Sequence, residues 1–410
     1  MLGILTGCSL GLQPVSPTPT LASTSTPTST PTATPIPPTA TSIPTATQVP
    51  SPTPVPVYLP ATVWAADPQV PVLAYHRFYP DSFQDLPPTK IRLSDFKAHL
   101  QALYDAGYTL VSLEAWLKGD LRLPDGRKPL IITIDDLFSA DQIFLDPDGT
   151  PSPKSGIGLL WHFSQAHPDF GFAVALFYNM GDKHYGNVEV GDWWQEGPGW
   201  EDSLAKAIAW CIQNGALPYN HFYTHVELDL VTSVKDFNFQ AQENEIKLRE
   251  TLGRIHQETL ADGLDNIFAI PYGVWPTTYA VQHALQTYVS TSDKPLLGLM
   301  DIDYAIRAKY LQPVYSPEFD RFHIPRIVDV SDDASYFGDT IKLLVDSKDK
   351  LPSAQTCSLG PVDTASEKNQ AYIQGLIADA GVHGICPDGA YALEEGLFRL
   401  QGGVVTAISP

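Results

Sequence analysis

The chain has 410 residues, and 46 Asp and Glu against 25 Lys and Arg give it a formal net charge of −21 at pH 7. So acidic a chain lacks the basic face that neutralises phosphates, which argues against nucleic-acid binding and against attachment to anionic lipid through a basic patch. The sequence contains no stretch of about 18 consecutive apolar residues, so no membrane-spanning helix is expected. A hydrophobic content of 43% is enough for a sizeable core, and the composition predicts a soluble globular protein.

The first 13 residues carry a short targeting signature. The run from Leu5 to Cys8 reads Leu-Thr-Gly-Cys, which looks like the lipobox at which bacterial lipoprotein signals are cut and the new N-terminal cysteine is lipidated. The basic start and the longer apolar stretch of a signal peptide are missing, and the alternative is that Cys8 is incidental. We interpret residues 1–13 as the remnant of a lipoprotein signal. This predicts an extracellular or cell-surface protein, anchored to the bacterial membrane only through a lipid on Cys8.

A spacer is predicted over residues 14–62. This stretch consists almost entirely of Pro, Thr, Ser and Ala, and no Asp, Glu, Lys or Arg precedes Asp67. It cannot bury enough apolar surface to offset the entropy of ordering the chain, so a disordered, extended linker is expected. Such a linker would hold the following domain away from the surface to which Cys8 is attached.

Residues 63–350 alternate short apolar runs with longer amphipathic ones, the pattern of strands joined by helices around a parallel sheet. The predicted strands are 70–75, 108–112, 129–134, 172–178, 266–270 and 326–330. The predicted helices are 93–106, 201–213, 241–261 and 278–286, with a further helix starting at 113–117. Repeated units of this kind predict an α/β fold, a complete or distorted (β/α) barrel. The rival, a doubly wound open sheet, lacks support because no Gly-x-Gly-x-x-Gly turn follows the first strand.

Two groups of polar residues follow predicted strands or apolar runs. Asp135 and Asp136 come directly after the apolar run 129–134, and His221 and His225 follow a shorter one. If residues 221–225 were helical, the i,i+4 spacing would set both imidazoles on one face. Two histidines and one carboxylate make a three-ligand set that leaves room for water and substrate, as in a catalytic metal site. A divalent metal is therefore expected, zinc first, although imidazole also suits iron, cobalt and nickel. Neither group is specific when taken alone.

The order of several motifs is more informative than each of them. Together they resemble the polysaccharide deacetylase family with the NodB-homology domain, carbohydrate esterase family 4, over residues 69–330. The motifs that carry the resemblance are Val70-Pro-Val-Leu-Ala-Tyr-His76, the segment from Asp95 to Leu113, Thr133-Ile-Asp-Asp136, His221-Phe-Tyr-Thr-His225 and Pro271-Tyr-Gly273. The resemblance implies that residues 63–350 form a distorted (β/α) barrel of the polysaccharide deacetylase type.

The resemblance also implies roles for individual residues. Asp135 would be the general base, whereas Asp136 would bind the metal together with His221 and His225. The backbone N–H of Tyr272 would stabilise the oxyanion of the tetrahedral intermediate. Substrate would lie against the segment that begins at Pro271, although taken alone this motif is an ordinary turn.

Three positions depart from the family pattern, and one of them is that Leu137 and Phe138 follow the Asp pair where Gly and an aromatic residue are usual. An arginine that often precedes the Pro-Tyr pair and braces the catalytic Asp is replaced by the apolar run 268–270, so the brace is absent or supplied from elsewhere. Arg326 could pair with a buried carboxylate. The late Leu-x-His motif that supplies the proton donor has no clean copy. His76 and His323 are the candidates for this donor, and each could instead be a structural histidine.

Two further regions have open interpretations. Trp193 and Trp194 lie in a loop that could form a platform for sugar rings, or they could pack against the barrel instead. The C-terminal segment, residues 351–410, resembles no known family, and we interpret it as a small helical cap or accessory piece. Cys357 and Cys386 could close a disulfide there, whereas Cys211 lies in an amphipathic helical pattern and is interpreted as a buried thiol.

The resemblance implies a metal-dependent hydrolase that removes N-acetyl groups from a polysaccharide containing N-acetylglucosamine. The alternatives are a catalytically inactive saccharide-binding or scaffold protein on the same fold, and an esterase acting on O-acetylated sugars. The expected partner is an acetylated polysaccharide. The sequence leaves the polymer and the oligomeric state open.

Overall fold

The computed structural model describes residues 55–83, 89–181, 199–302, 319–328 and 334–408. Cys8, most of the predicted spacer, Trp193 and Trp194 lie outside these residues. The strands, in chain order, are β1 (Val57–Trp64), β2 (Val72–Tyr75), β3 (Arg77–Tyr79), β4 (Lys90–Arg92), β5 (Tyr108–Leu110), β6 (Lys128–Leu137), β7 (Val174–Tyr178), β8 (Ala216–Asn220), β9 (Asn266–Ala269), β10 (Leu296–Met300), β11 (Ile327–Val328), β12 (Gln355–Val362), β13 (Gly389–Leu393), β14 (Gly396–Gln401) and β15 (Val404–Ile408).

The predicted helices are present in the structure, but several of them begin or end at other residues than predicted. They are α1 (Leu93–Asp105), α2 (Leu113–Leu117), α3 (Gly156–Ala166), α4 (Trp200–Gln213), α5 (Val234–Gly253), α6 (Tyr279–Gln286), α7 (Ala334–Asp346) and α8 (Gln370–Val382). The helix predicted over 241–261 begins earlier, because the Ser233 hydroxyl caps it by accepting from the Asp236 N–H at 3.1 Å. In the described part of the chain, no helix is both long and apolar enough to cross a membrane.

The main sheet is parallel and runs in the order β10-β9-β8-β7-β6-β2-β11, with β5 beside β6. Its two ends meet through one short segment. Ile324 pairs with Met300 of β10, and the following strand β11 pairs with β2. The Asp301 N–H donates to the Ile324 carbonyl at 2.7 Å, which fixes this junction. The sheet therefore curls into a distorted (β/α) barrel, as predicted from the alternation of strands and helices.

The period of two along β6 decides which side chains face the barrel interior. Ile131 belongs to the interior cluster that also holds Phe177 and Met300, whereas Ile132 and Ile134 pack with the surrounding helices. Asp135 lies four residues beyond Ile131 and therefore points to the same side. Because the carboxyl ends of parallel strands meet at one end of the barrel, the polar residues that follow these strands come together there.

A second sheet joins the two ends of the described chain. It is antiparallel, with the order β12-β1-β13-β14-β15, and α8 packs on it. Residues 57–62, predicted as spacer, thus belong to a strand, and residues 351–408 contain the four strands β12 to β15 as well as the helix α8, rather than forming a helical cap. Pro60 is tolerated because β1 pairs at that point only with β12, while β13 begins its pairing at Thr62.

The cysteines of this sheet form a disulfide. Cys357 on β12 is bonded to Cys386, with a Cα–Cα distance of 5.9 Å, so the bond that the sequence left open is present. Cys211 is buried and free, as interpreted from the pattern of α4.

Candidate metal and catalytic site

Three predicted ligands converge at the carboxyl end of the barrel. The donor atoms of Asp136, His221 and His225 all lie within 4.8 Å of one another. Asp136 Oδ1 lies 3.2 Å from His225 Nε2 and 3.6 Å from His221 Nε2. The two Nε2 atoms are 3.2 Å apart. The sequence prediction therefore identified a set of residues that the fold brings together.

The backbone that joins the two histidines differs from the helix considered for residues 221–225. His221 directly follows β8, and the chain then turns, with a positive φ of 61° at Phe222 and of 52° at His225. The Asn220 carboxamide oxygen accepts the Phe222 N–H at 2.9 Å, and Phe222 itself is buried against Phe268. The helical spacing argument is therefore wrong, because a strand end and a tight turn bring the imidazoles together instead.

His221 is held in the form that a metal ligand requires. Its Nδ1 lies 2.9 Å from the Ala269 carbonyl oxygen, a contact that places the proton on Nδ1 and leaves the Nε2 lone pair facing the cluster. Burial lowers the pKa of His221 to about 4, against the opposing influence of the nearby Asp135 carboxylate. The imidazole is therefore neutral near pH 7.

The donor set fits a divalent metal. At ligand distances of about 2.0–2.1 Å, the donors of a tetrahedral zinc site lie about 3.3 Å apart, which matches the separations in the cluster. Asp136 Oδ1 is buried and accepts no hydrogen bond from the described residues, although both imidazoles lie near it. A cation would satisfy this oxygen. Zinc suits the two nitrogens and one oxygen, and cobalt, nickel and iron accept the same ligands.

Asp135 and its neighbour Asp136 lie in different environments. Its two carboxylate oxygens accept from both terminal nitrogens of Arg326, at 2.6 and 2.8 Å, and both side chains are almost completely buried. Arg326 also donates to the Thr133 hydroxyl at 3.1 Å, and its guanidinium lies over the Phe177 ring at 5.1 Å. Burial would raise the pKa of Asp135, but the charge of Arg326 outweighs it, and the pKa is lowered to about 2. The arginine missing before Pro271 is thus replaced by one that precedes β11.

Asp136 is also kept ionised. Desolvation acts to raise its pKa, and the charge of His225 is the largest opposing influence, so the pKa is lowered overall. The two adjacent carboxyl groups therefore both remain negative, one facing an arginine and the other facing two imidazoles. This arrangement separates a candidate base from a candidate ligand.

His76 directly follows Tyr75, which pairs with Ile134 of β6, so the backbone of His76 lies next to that of Asp135. The charge of His76 is among the influences that lower the pKa of Asp135 and of Asp136. The Gln142 carboxamide donates to the His76 carbonyl at 2.7 Å and to the Asp135 carbonyl at 2.8 Å, which joins the ends of β2 and β6. His76 Nδ1 is buried and has no hydrogen-bond partner within the described residues. The imidazole therefore has a polar atom available for a ligand.

The sequence motifs did not predict a buried ion pair that lies next to His76. Arg77 donates from Nε to both oxygens of Asp141, each at 2.9 Å, and the Phe78 N–H donates to the same carboxylate at 2.9 Å. This pair fixes β3 to the segment that carries Gln142. An arginine adjacent to His76 was the only signal available, and its partner 64 residues away could not be identified from spacing.

The Pro271–Gly273 segment forms a short 3-10 turn directly after β9. Tyr272 has a positive φ of 57°, and its ring lies against that of His225, with the centroids 4.4 Å apart. The Tyr272 side chain is about half exposed, at 51%. The fold therefore brings Pro271 and Tyr272 to the edge of the metal cluster, as the motif order predicted.

His323 lies elsewhere. Its ring stacks on Trp275, with a centroid distance of 4.4 Å and an interplanar angle of 14°, and its Nδ1 lies 2.9 Å from Asp320 Oδ2. No contact in the described part of the chain joins its side chain to Asp136, His221 or His225. Trp193 and Trp194 lie outside the described residues.

The chain was compared with known proteins at three levels. No family model and no curated protein matches it. Among solved structures, it is similar to the deacetylase PplD from Streptococcus pyogenes, with 15% identity over 67% of this chain and 99% of the other, and a TM-score of 0.41. It is similar to a polysaccharide deacetylase from Bacillus cereus, with 17% identity, coverage of 67% and 69%, and a TM-score of 0.43. It is also similar to IcaB from Ammonifex degensii, with 18% identity, coverage of 67% and 97%, and a TM-score of 0.39.

Two of these three solved proteins are named as deacetylases, one of them as a polysaccharide deacetylase. Fold and site together define a (β/α) barrel with a candidate metal centre of two histidines and one aspartate, and with a second, ionised aspartate beside it.

Proposed function

We propose that this protein is a metal-dependent hydrolase that removes N-acetyl groups from a polysaccharide containing N-acetylglucosamine at the cell surface. The observation that carries the proposal is the pairing of the three-ligand cluster with Asp135, a buried carboxylate that Arg326 keeps ionised and fixed in orientation. A structural metal site would not require a second, separately braced carboxylate beside it.

The metal would be held by Asp136, His221 and His225, and zinc suits these donors best. A divalent cation at this position supplies a Lewis acid for a carbonyl group and lowers the pKa of a water molecule. Asp135, ionised near pH 7, accepts the proton of the attacking water. The bidentate contact with Arg326 prevents Asp135 from turning toward the metal, so the carboxylate remains available as the base.

Departure of the amine requires a proton. Of the two candidate histidines, His76 lies next to Asp135 in the backbone and has a buried Nδ1 without a hydrogen-bond partner among the described residues. His323 instead stacks on Trp275 and contacts Asp320. We therefore assign the proton donor to His76. The backbone N–H of Tyr272 would stabilise the oxyanion, and the segment from Pro271 would contact the sugar that carries the acetyl group.

The location follows from the N-terminal sequence. A lipid on Cys8 would anchor the protein, and the residues before β1 would act as the spacer that lets the barrel reach a polymer. Trp193 and Trp194 are proposed as a platform for sugar rings. These parts of the proposal rest on sequence alone.

The test measures bound metal per chain and acetate release from N-acetylglucosamine oligomers, using the full chain. We expect near-stoichiometric metal in the wild type and in Asp135→Asn, with acetate released only by the wild type. His225→Ala should lose both the metal and the activity. A matched control is His283→Ala, which removes a histidine outside the cluster and should keep the metal.

Other outcomes distinguish the alternatives. Acetate released from O-acetylated sugars but not from N-acetylated ones would replace the deacetylase with an esterase. Metal bound without release from either class would favour a saccharide-binding protein. Wild-type protein that binds no divalent metal would contradict the assignment of the site.

A further inference from the structure

A cavity lies beside helix α6. Its volume is about 330 Å³, within the range of about 300–1,000 Å³ typical of ligand pockets. Two aromatic residues, two histidines and two glutamines line it: Trp275, Tyr279, Gln282, His283, Gln286 and His323. Within the described residues this lining includes no carboxylate, lysine or arginine, although Asp320 contacts His323, so the lining is aromatic and amide-like.

The rings in the cavity are arranged as two parallel pairs. His323 stacks on Trp275 with an interplanar angle of 14°, and Tyr279 stacks on His283 with an angle of 7°. Tyr279 is 80% exposed, although burial of an aromatic ring is strongly favourable. Each pair places two nearly parallel rings in the lining of the cavity.

A chain of hydrogen bonds links one lining residue of the cavity to the candidate active site. The Trp275 indole N–H donates to Asp301 Oδ2 at 2.8 Å, and the Asp301 carbonyl accepts from Arg326 Nε at 3.2 Å. The same Arg326 binds Asp135. Trp275 also lies two residues after the Pro271–Gly273 turn in the chain, and Tyr272 of that turn lies against His225.

We infer that this cavity is a binding subsite for a second part of the same neutral polysaccharide chain, several sugars away from the residue being deacetylated. This inference rests on the proposed function. A pyranose ring presents an apolar C–H face that stacks on an aromatic ring, and its hydroxyl groups match the two glutamine side chains. Without a carboxylate, lysine or arginine among its described residues, the lining fits an acetylated, neutral polymer better than a polyanion. The subsite would favour long chains over short ones.

The experiment measures the affinity of the full chain for N-acetylglucosamine hexamers and dimers, each in β-1,4 and in β-1,6 linkage. Isothermal titration calorimetry with a chelator present keeps turnover from obscuring binding. Tyr279→Ala should weaken hexamer binding about 2- to 10-fold, the effect expected of one lost aromatic stack, and should leave dimer binding unchanged. His283→Ala, which removes the stacking partner, should act in the same direction.

Two controls separate stacking from general disturbance. Tyr279→Phe keeps the ring and should bind hexamers as the wild type does. Tyr58→Ala removes another exposed tyrosine, 52% accessible, from β1 in the second sheet and should have no effect. Hexamer affinity of Tyr279→Ala within twofold of wild type would overturn the subsite, as would equal weakening of dimers and hexamers.

Acetate release, measured in parallel without chelator, keeps the two proposals apart. Binding that depends on Tyr279 without any acetate release would support the subsite and contradict the hydrolase. Acetate release together with binding that is insensitive to Tyr279 and His283 would overturn the subsite and leave the hydrolase standing.

Discussion

Asp135 carries its charge inside the barrel because Arg326 meets it with two parallel hydrogen bonds. Such bidentate pairs fix a carboxylate in position as well as stabilising its charge. Removing one partner of a buried pair costs about 3–5 kcal/mol, since the other charge is left uncompensated. The pair therefore links stability to the proposed catalytic role, and the two effects must be measured separately.

We expect Arg326→Met to lower the catalytic efficiency of acetate release roughly 100-fold or more, the lower end of what general-base catalysis contributes. The reason is that Asp135 would lose both its orientation and the cation that keeps its pKa low. Arg326→Lys keeps the charge without the planar fork and should retain intermediate activity. Activity, metal content and the melting temperature are measured together.

The double variant Arg326→Met/Asp135→Asn separates the two roles. Because it removes both charges, it should recover part of the stability lost in Arg326→Met while remaining inactive. Recovery of activity in the double variant would contradict the assignment of Asp135 as the base.

At the scale of elements, the site depends on where strands and helices end rather than on their interiors. The barrel end is assembled from the last residues of β6 and from the residues that follow β2, β8 and β9. The apolar runs predicted most of these strands, because buried parallel strands read as continuous hydrophobic segments. The turn at 222–225 was not predictable, since an i,i+4 pair of histidines suits a helix equally well and only the contacts of Phe222 and Asn220 select the turn.

Helix α1 packs on this sheet through a histidine, which makes the contact sensitive to pH. His99 Nδ1 lies 3.3 Å from the Tyr75 hydroxyl of β2, and burial lowers the pKa of His99 from 6.5 to about 4. The unfolded chain therefore binds more protons than the folded chain between these two pH values. Stability is complete above about pH 6.5 and is lost as the pH falls toward 4, by roughly 3 kcal/mol at pH 4.

The measurement is the free energy of unfolding from pH 7 to pH 4, with a chelator present so that metal binding does not contribute. His99→Leu should show a shallower loss than the wild type. His383→Gln, which replaces an exposed histidine after α8, should keep the wild-type slope. Parallel curves for the wild type and His99→Leu would rule out His99 as a source of acid sensitivity.

At the scale of the whole molecule, the two ends of the described chain pair with each other in one sheet. Strand β1, close to the start of the described residues, is inserted between β12 and β13 from the other end. The Cys357–Cys386 disulfide joins this sheet to the end of α8 across 29 residues. A crosslink of this span restricts the unfolded chain and stabilises the folded one.

We expect Cys357→Ser/Cys386→Ser to lower the free energy of unfolding by about 2–4 kcal/mol, the usual contribution of a disulfide. Denaturant unfolding with and without a reductant measures this. The reductant should destabilise the wild type and have no further effect on the double variant. Equal stability of the oxidised wild type and the double variant would show that the bond adds nothing to the sheet.

The sequence by itself predicted the alternation of strands and helices and identified Asp135, Asp136, His221 and His225 as candidate site residues. Periodicity and each separate motif depend on residues close together in the chain, and the order of the motifs is itself a property of the sequence. Only the tertiary structure decided that Arg326, 191 residues from Asp135, replaces the missing brace, and that His76 rather than His323 lies next to Asp135. It also decided that β1 belongs to the C-terminal sheet. These pairings depend on which strand ends meet when the barrel closes, and no local pattern records that.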